Sequence, residues 1–317
     1  MDVIGNSNLP RVPYLQDLTI RLAEGIGRLP EATRQRHAAF LRGKQNADGG
    51  FGGREGGSDL YYTGFALRSL AILGELHGEL AEGAAGFVRQ GLGGQAAIID
   101  FLSLLYSAML LETSAGIDVL NGAPADWRSR VATELERFRR DDGGYAMSHE
   151  GYSSSTYYTF LVLLCQQVIA APPVEPERIV RFVASRRRED GGFVELGPMR
   201  RSGTNPTAAA IGTLKILAAI DEETRQGAID FLAERQTDEG GLAANTRIPF
   251  ADVLSSFTGT LTLLDLGGLE EIDASEVRRF VQSLELDAGG FLAHAIDEVP
   301  DVEYTFYGLG GLALLTP

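Results

Sequence analysis

Residues 187–193 read RREDGGF, and variants of the same phrase recur as QNADGGF at 45–51, RRDDGGY at 139–145, QTDEGGL at 236–242 and ELDAGGF at 285–291. The second glycines are Gly50, Gly144, Gly192, Gly241 and Gly290, so the last four lie 48, 49 and 49 residues apart while the first interval is 94. That interval is about two periods, so a degenerate unit belongs at its middle, where QGLGGQAAIIDFL supplies Gly94. Self-similarity at a fixed period of about 20–50 residues marks an array of supersecondary units, each burying its apolar face against the next.

Each unit has the same grammar. First comes an amphipathic run, such as ATRQRHAAFL at 32–41 or ERIVRFVASRRR at 177–188, with apolar residues at helical spacing and charges between them. Basic residues end it just before the glycines, as Arg139, Arg140 and Arg186 to Arg188 do, which suits the negative end of a helix and its glycine cap. A polar loop follows, then a second helix apolar on nearly every side: YYTGFALRSLAIL at 61–73, TYYTFLVLLC at 156–165, NPTAAAIGTLKIL at 205–217, SSFTGTLTLL at 255–264 and YTFYGLGGLALL at 304–315. A helix without a charged face is buried all round, so the pairs form an outer and an inner layer. The last inner helix is apolar to its end, whereas an open solenoid has a polar capping repeat. The expectation is therefore an all-α, closed α/α toroid: six outer–inner hairpins over residues 35–317, the second degenerate, around a central apolar cavity. Residues 1–34 read as an N-terminal arm and first helix packing on that barrel.

Length and composition fit a folded globular chain of one large domain or two ordinary ones. The chain has 317 residues, 44% of them hydrophobic, with 43 acidic against 28 basic side chains and a formal charge of −15. Such a balance disfavours nucleic acid and anionic membranes as partners, so any anionic ligand must find a local cluster of arginines. A lone cysteine, Cys165 within FLVLLC, excludes an internal disulfide and a clustered thiolate site and fits a reducing cytoplasm. The start, MDVIGNSNLPRVPYLQ, lacks the pattern of a signal peptide, and AAIIDFLSLLYSAMLL at 96–111 contains Asp100 and reads as a core helix.

Inner-helix heads concentrate aromatic residues. Tyr61, Tyr62, Phe65, Tyr157, Tyr158, Phe160, Phe257, Tyr304, Phe306 and Tyr307 all lie in first turns, where they either line one mouth of the cavity or pack as ordinary core. A lining of that kind suits a long apolar chain and, by cation–π attraction, a carbocation. Asp59, Asp252 and Asp301 stand at the same place in three repeats, where an aspartate caps a helix N-terminus.

The repeated QxxDGGF phrase and the Thr-aromatic start of the inner helices resemble the β subunits of protein prenyltransferases and, more distantly, terpene and squalene cyclases. The likeness runs from about residue 35 to the end. It implies an isoprenoid as small-molecule partner and a helical α subunit, or self-association, as protein partner. It also implies a zinc held by an Asp-X-Cys at the head of the fifth inner helix and a His at the head of the sixth. Here the first motif reads DVL, with Asp252 matching and Leu254 in place of the Cys, and Tyr304 occupies the His position. No metal site is assigned on that basis; zinc would require a rebuilt set such as His294 beside Asp252 and Asp301. The diphosphate pocket that the resemblance implies retains only Arg247 near Asp252, and Gly203 stands where the fourth repeat would supply a His. Arg200 and Arg201 precede it, and all three arginines read either as phosphate-binding forks or as solvated loop charges. A second likeness, VPDVEYT at 299–305, resembles the Asp-X-Asp-Asp acid motif of cyclases, with Glu303 as proton donor beside Asp301. The readings that follow are an isoprenoid-binding or transferring protein without zinc–thiolate chemistry, a cyclase-like enzyme, or a non-catalytic lipid-binding scaffold.

Overall fold

A computed structural model describes residues 12–93 and 97–316. Those residues form thirteen α-helices. After α1 (Tyr14–Gly27) they alternate between an outer layer, α2 (Glu31–Arg42), α4 (Gly78–Gln90), α6 (Trp127–Glu136), α8 (Pro176–Arg186), α10 (Glu222–Ala233) and α12 (Ala274–Ser283), and an inner layer. The inner helices are α3 (Leu60–Ile72), α5 (Ile98–Ala115), α7 (Thr156–Val168), α9 (Thr204–Ile216), α11 (Val253–Leu266) and α13 (Val302–Leu314). Each inner helix packs on the next, and α13 returns to pack on α3, so the ring is closed.

The Asp-Gly-Gly-Phe core of the repeated phrase has a structural duty at each position. In the fourth unit Asp190 Oδ1 accepts from the Gly192 amide at 3.1 Å and from Ser202 Oγ at 2.7 Å, which folds the loop back on itself. Gly191 has φ of +82°, and a Cβ there would lie 2.2 Å from the Gly227 carbonyl oxygen of α10, so the loop can approach the next outer helix only as glycine. The Phe193 amide donates to Thr207 Oγ1 on α9 at 2.9 Å, and its ring is buried between the layers. The same amide-to-hydroxyl bond ties Phe51 to Thr63, Tyr145 to Thr159, Leu242 to Ser256 and Phe291 to Thr305. Gly94, the corresponding glycine of the second unit, lies outside the described residues.

Because each described glycine loop docks on the next outer helix, closure is visible in the last one. Gly289 of the sixth unit packs against the Arg36 carbonyl of α2, His37 stacks on Phe291 with ring centroids 4.8 Å apart, and His37 Nδ1 accepts from the Gly290 amide at 3.1 Å. Arg54, from the first loop, donates to Asp301 at 3.0 Å and to Asp297 at 2.8 Å. The arginine pairs before the glycines serve the loops as well as the helix ends. Arg140 donates to the carbonyls of Gly151, Ser148 and His149, and Arg188 to those of Met199 and Gly197.

Helix α1 crosses the end of the ring opposite the glycine loops. The Tyr14 amide donates to Gln167 at the end of α7, Arg21 pairs with Asp265 at the end of α11 at 2.7 Å, and Gly25 sits directly on the Ala313 backbone of α13. Helix α5 is long and apolar enough to cross a membrane, yet here it is mostly buried between α3 and α7.

Candidate functional site

The inner helices enclose a cavity of about 870 Å³. Its wall is aromatic and aliphatic: Tyr61 and Phe65 from α3, Tyr157, Tyr158 and Phe160 from α7, Phe257 from α11, and Phe306 and Tyr307 from α13 all face it. The rings touch one another, with centroids 5.0 Å apart for Tyr61–Phe65, 5.3 Å for Phe65–Tyr307 and 5.7 Å for Phe257–Phe306. Tyr14, Leu15, Leu18, Thr19 and Leu22 of α1 form the floor, so the cavity opens toward the glycine-loop side.

Few charged groups enter. Glu303, on the first turn of α13, lines the cavity, and its Oε1 accepts from Tyr61 Oη at 2.6 Å. Burial pushes the Glu303 carboxyl above the usual range, outweighing the Tyr61 hydrogen bond that favours its ionised form. Glu195 reaches in from the fourth loop, accepts from Ser155 Oγ, and is likewise raised by burial. Arg68, on the third turn of α3 below Tyr61 and Phe65, is the one cation among the described lining residues.

Asp252 and Asp301 are helix caps. Asp252 Oδ1 accepts from the Ser255 amide at 2.6 Å and its Oδ2 from Ser255 Oγ at 2.8 Å; burial raises its carboxyl despite those bonds. Asp301 Oδ1 accepts from the Tyr304 amide at 2.9 Å, while its Oδ2 takes Arg54. Neither lines the cavity, so the expected Asp301–Glu303 acid pair is divided: Glu303 faces the cavity and Asp301 the seam of the ring. The Tyr304 ring lies against the Arg54 guanidinium, 5.2 Å away, rather than in the cavity wall, and Tyr62 is also outside it, packed beside Gly53. Arg200, Arg201 and Arg247 are exposed on loops and do not reach the cavity, so they do not form the expected phosphate pocket inside it.

The residues present do not fit the zinc that the resemblance implies. Both Asp252 oxygens are engaged by Ser255, and Leu254 points its apolar side chain into the cavity where a thiolate would stand. His294 is near enough to favour the ionised form of Asp252, and its Nδ1 is buried without a partner, but Asp301 is committed to Tyr304 and Arg54. Among the described residues no three His, Cys, Asp or Glu side chains converge on a point that could hold a metal ion.

Sequence reasoning did not single out Arg68, Glu195 or the floor made by α1. Arg68 had a visible signal: it interrupts an otherwise apolar inner helix, YYTGFALRSLAIL. Glu195 and the floor had none, because loop reach and the docking of α1 depend on packing between distant segments.

A closed ring of helical hairpins around a hollow with an aromatic wall defines an α/α toroid with an apolar interior. The sequence pattern of the prenyltransferase alpha-alpha toroid domain matches residues 17–93, 104–249 and 252–317, and the chain belongs to that family. It is 26% identical over 220 residues to the geranylgeranyl transferase type-2 subunit beta of Saccharomyces cerevisiae, a match covering 68% of this chain and 65% of that protein. The chain thus spans just under two thirds of that relative's length. Its fold matches the Candida albicans protein geranylgeranyltransferase-I, solved with GGPP, at a TM-score of 0.72 with 16% identity, covering 89% of this chain and 90% of that one. It also matches a variant of a type II terpene cyclase from Scytonema, solved with geranylgeranyl dihydroxybenzoate, at a TM-score of 0.64 with 12% identity, covering 95% and 99%.

Proposed function

We propose that this chain binds an isoprenoid in its central cavity and acts on it without zinc–thiolate chemistry. The cavity carries the reading: about 870 Å³ walled by Tyr, Phe and Leu side chains and closed at one end by α1, within the range of roughly 300–1,000 Å³ typical of small-molecule sites. Two similar folds were solved with geranylgeranyl compounds, which supports the same class of ligand here. Native mass spectrometry of the purified protein with added geranylgeranyl compounds tests it. A one-to-one complex is expected, and it should be lost in Ala208→Trp, which fills the cavity from α9. Failure of the unaltered protein to bind any such compound at micromolar concentration refutes the reading.

One observation favours acid chemistry as the activity. Glu303 is the carboxyl group that α13 presents to the cavity, and burial favours its protonated form, the state needed to donate a proton to an alkene. Its partner Tyr61 fixes the orientation. Aromatic faces around it suit a developing carbocation. Incubation with a polyprenyl compound should give product, and Glu303→Gln should lower the rate by about 10²-fold or more while binding persists. Undiminished turnover in that variant removes Glu303 from the reaction.

A further inference from the structure

The inner helices carry two basic residues, Arg68 on α3 and Lys215 on α9. They are treated differently by their surroundings. Lys215 has a counter-charge, with Nζ 2.7 Å from Asp265 Oδ1 at the closed end of the ring. Arg68 has no ion-pair partner among the described residues: Glu303 acts on it only through space, and its buried Nε lacks an acceptor. What it does touch is aromatic. The guanidinium carbon lies 4.9 Å from the Phe65 ring centroid, 5.0 Å from Tyr106 and 6.0 Å from Phe306.

Those rings stabilise the face of the cation but accept no hydrogen bond in its plane. A guanidinium is a planar fork of N–H donors matched to two oxygens of one anionic group. Leaving the buried Nε–H without an acceptor costs stability, and groups that cost stability in the empty protein concentrate where a ligand completes them. Arg68 lies inside the cavity, so the completing anion belongs to the cavity's ligand.

The charge around Arg68 limits what that anion can be. It is the single cation of the described lining, and Glu303 and Glu195 share the cavity with it. A diphosphate would bring several negative charges to one guanidinium, with no second cation in the described lining to share them. A carboxylate brings one charge and two coplanar oxygens. We infer that the cavity selects an isoprenoid bearing a carboxylate, received bidentately by Arg68, over the corresponding alcohol or diphosphate. This specificity rests on the isoprenoid reading above and adds the identity of the polar end.

Isothermal titration with geranylgeranoic acid, geranylgeraniol and geranylgeranyl diphosphate separates the two claims. The unaltered protein should bind the acid about tenfold or more tighter than the alcohol, as expected of a charge-assisted pair. Arg68→Met should remove that preference by weakening the acid alone, and Arg68→Lys, with charge but no fork, should fall between. The melting temperature of Arg68→Met should equal or exceed that of the unaltered protein, which shows that lost binding is not lost folding. Equal affinity for acid and alcohol, or a preference for the diphosphate, overturns the role of Arg68 and leaves the isoprenoid reading standing. No binding of any of the three compounds overturns both.

Discussion

Asp252 shows how one side chain can keep its place in a pattern and change its work. The resemblance makes it a metal ligand, yet both its oxygens are satisfied by Ser255 at the start of α11, and its neighbours Leu254 and Tyr304 supply no soft or basic donor. As a cap it satisfies an amide that the helix cannot pair internally. Asp252→Ala should therefore lower unfolding free energy in urea by about 1 kcal/mol, and Asp252→Asn, which can still accept, by much less. Unchanged stability in Asp252→Ala would refute the capping role. Adjacent residues can also part company, because successive helical positions are turned by about 100°. Tyr61 faces the cavity and bonds Glu303, whereas Tyr62 packs outside it.

The outer–inner hairpin with its glycine loop is the unit that evolution has copied, and its stability is concentrated in the residue after the glycines. Phe193 fills the space between α9 and the outer layer, is essentially inaccessible, and ties its own amide to Thr207. Phe193→Ala should cost about 3–5 kcal/mol, the range for emptying a buried aromatic site, read from the midpoint of chemical denaturation. A cost below about 1 kcal/mol would mean that the loop can collapse into the space. Helix α5 of the degenerate second unit begins differently from its neighbours. Ala97 precedes it without the side-chain cap that α3 and α7 have, while the Ile98 amide donates to the Met147 carbonyl of the following loop as the first amides of α7, α9 and α11 do to theirs. That element was recognisable from the period alone, since its own residues carry little of the phrase.

Closure of the ring is a property of the whole molecule, and Arg54 is its most exposed fastening. Burial raises the Asp297 carboxyl, but the hydrogen bonds from Arg54 and from the Ala293 amide outweigh it and hold the group at about 2, below its ordinary 3.8. A depressed carboxyl contributes stability that is fully present above its unfolded value and is lost as pH falls through its folded one. Arg54→Ala should thus destabilise the protein near neutrality by roughly 1–2 kcal/mol, allowing for the partial exposure of Arg54. The gap between variant and unaltered protein should close between about pH 4 and pH 2. A gap independent of pH in paired urea titrations would show that the seam is held by packing and not by this charge. The Arg36–His37–Glu285 cluster strengthens the same junction, since the His37 hydrogen bond and Arg36 keep Glu285 below the ordinary range despite burial.

The amino-acid sequence alone determined the all-α architecture, the six units and the closed ring, because period, glycine placement and helix polarity are local quantities repeated along the chain. It also placed aromatic residues at the heads of the inner helices. Only the tertiary structure decided which of them see the cavity, that Asp301 belongs to the seam while Glu303 belongs to the wall, that α1 closes one end, and that Arg68 stands inside, among the described residues, without an ion-pair partner. The reason is physical: a repeat fixes what each hairpin is, but helix rotation, loop reach and the meeting of residues more than 200 positions apart are set by how the hairpins pack around the ring.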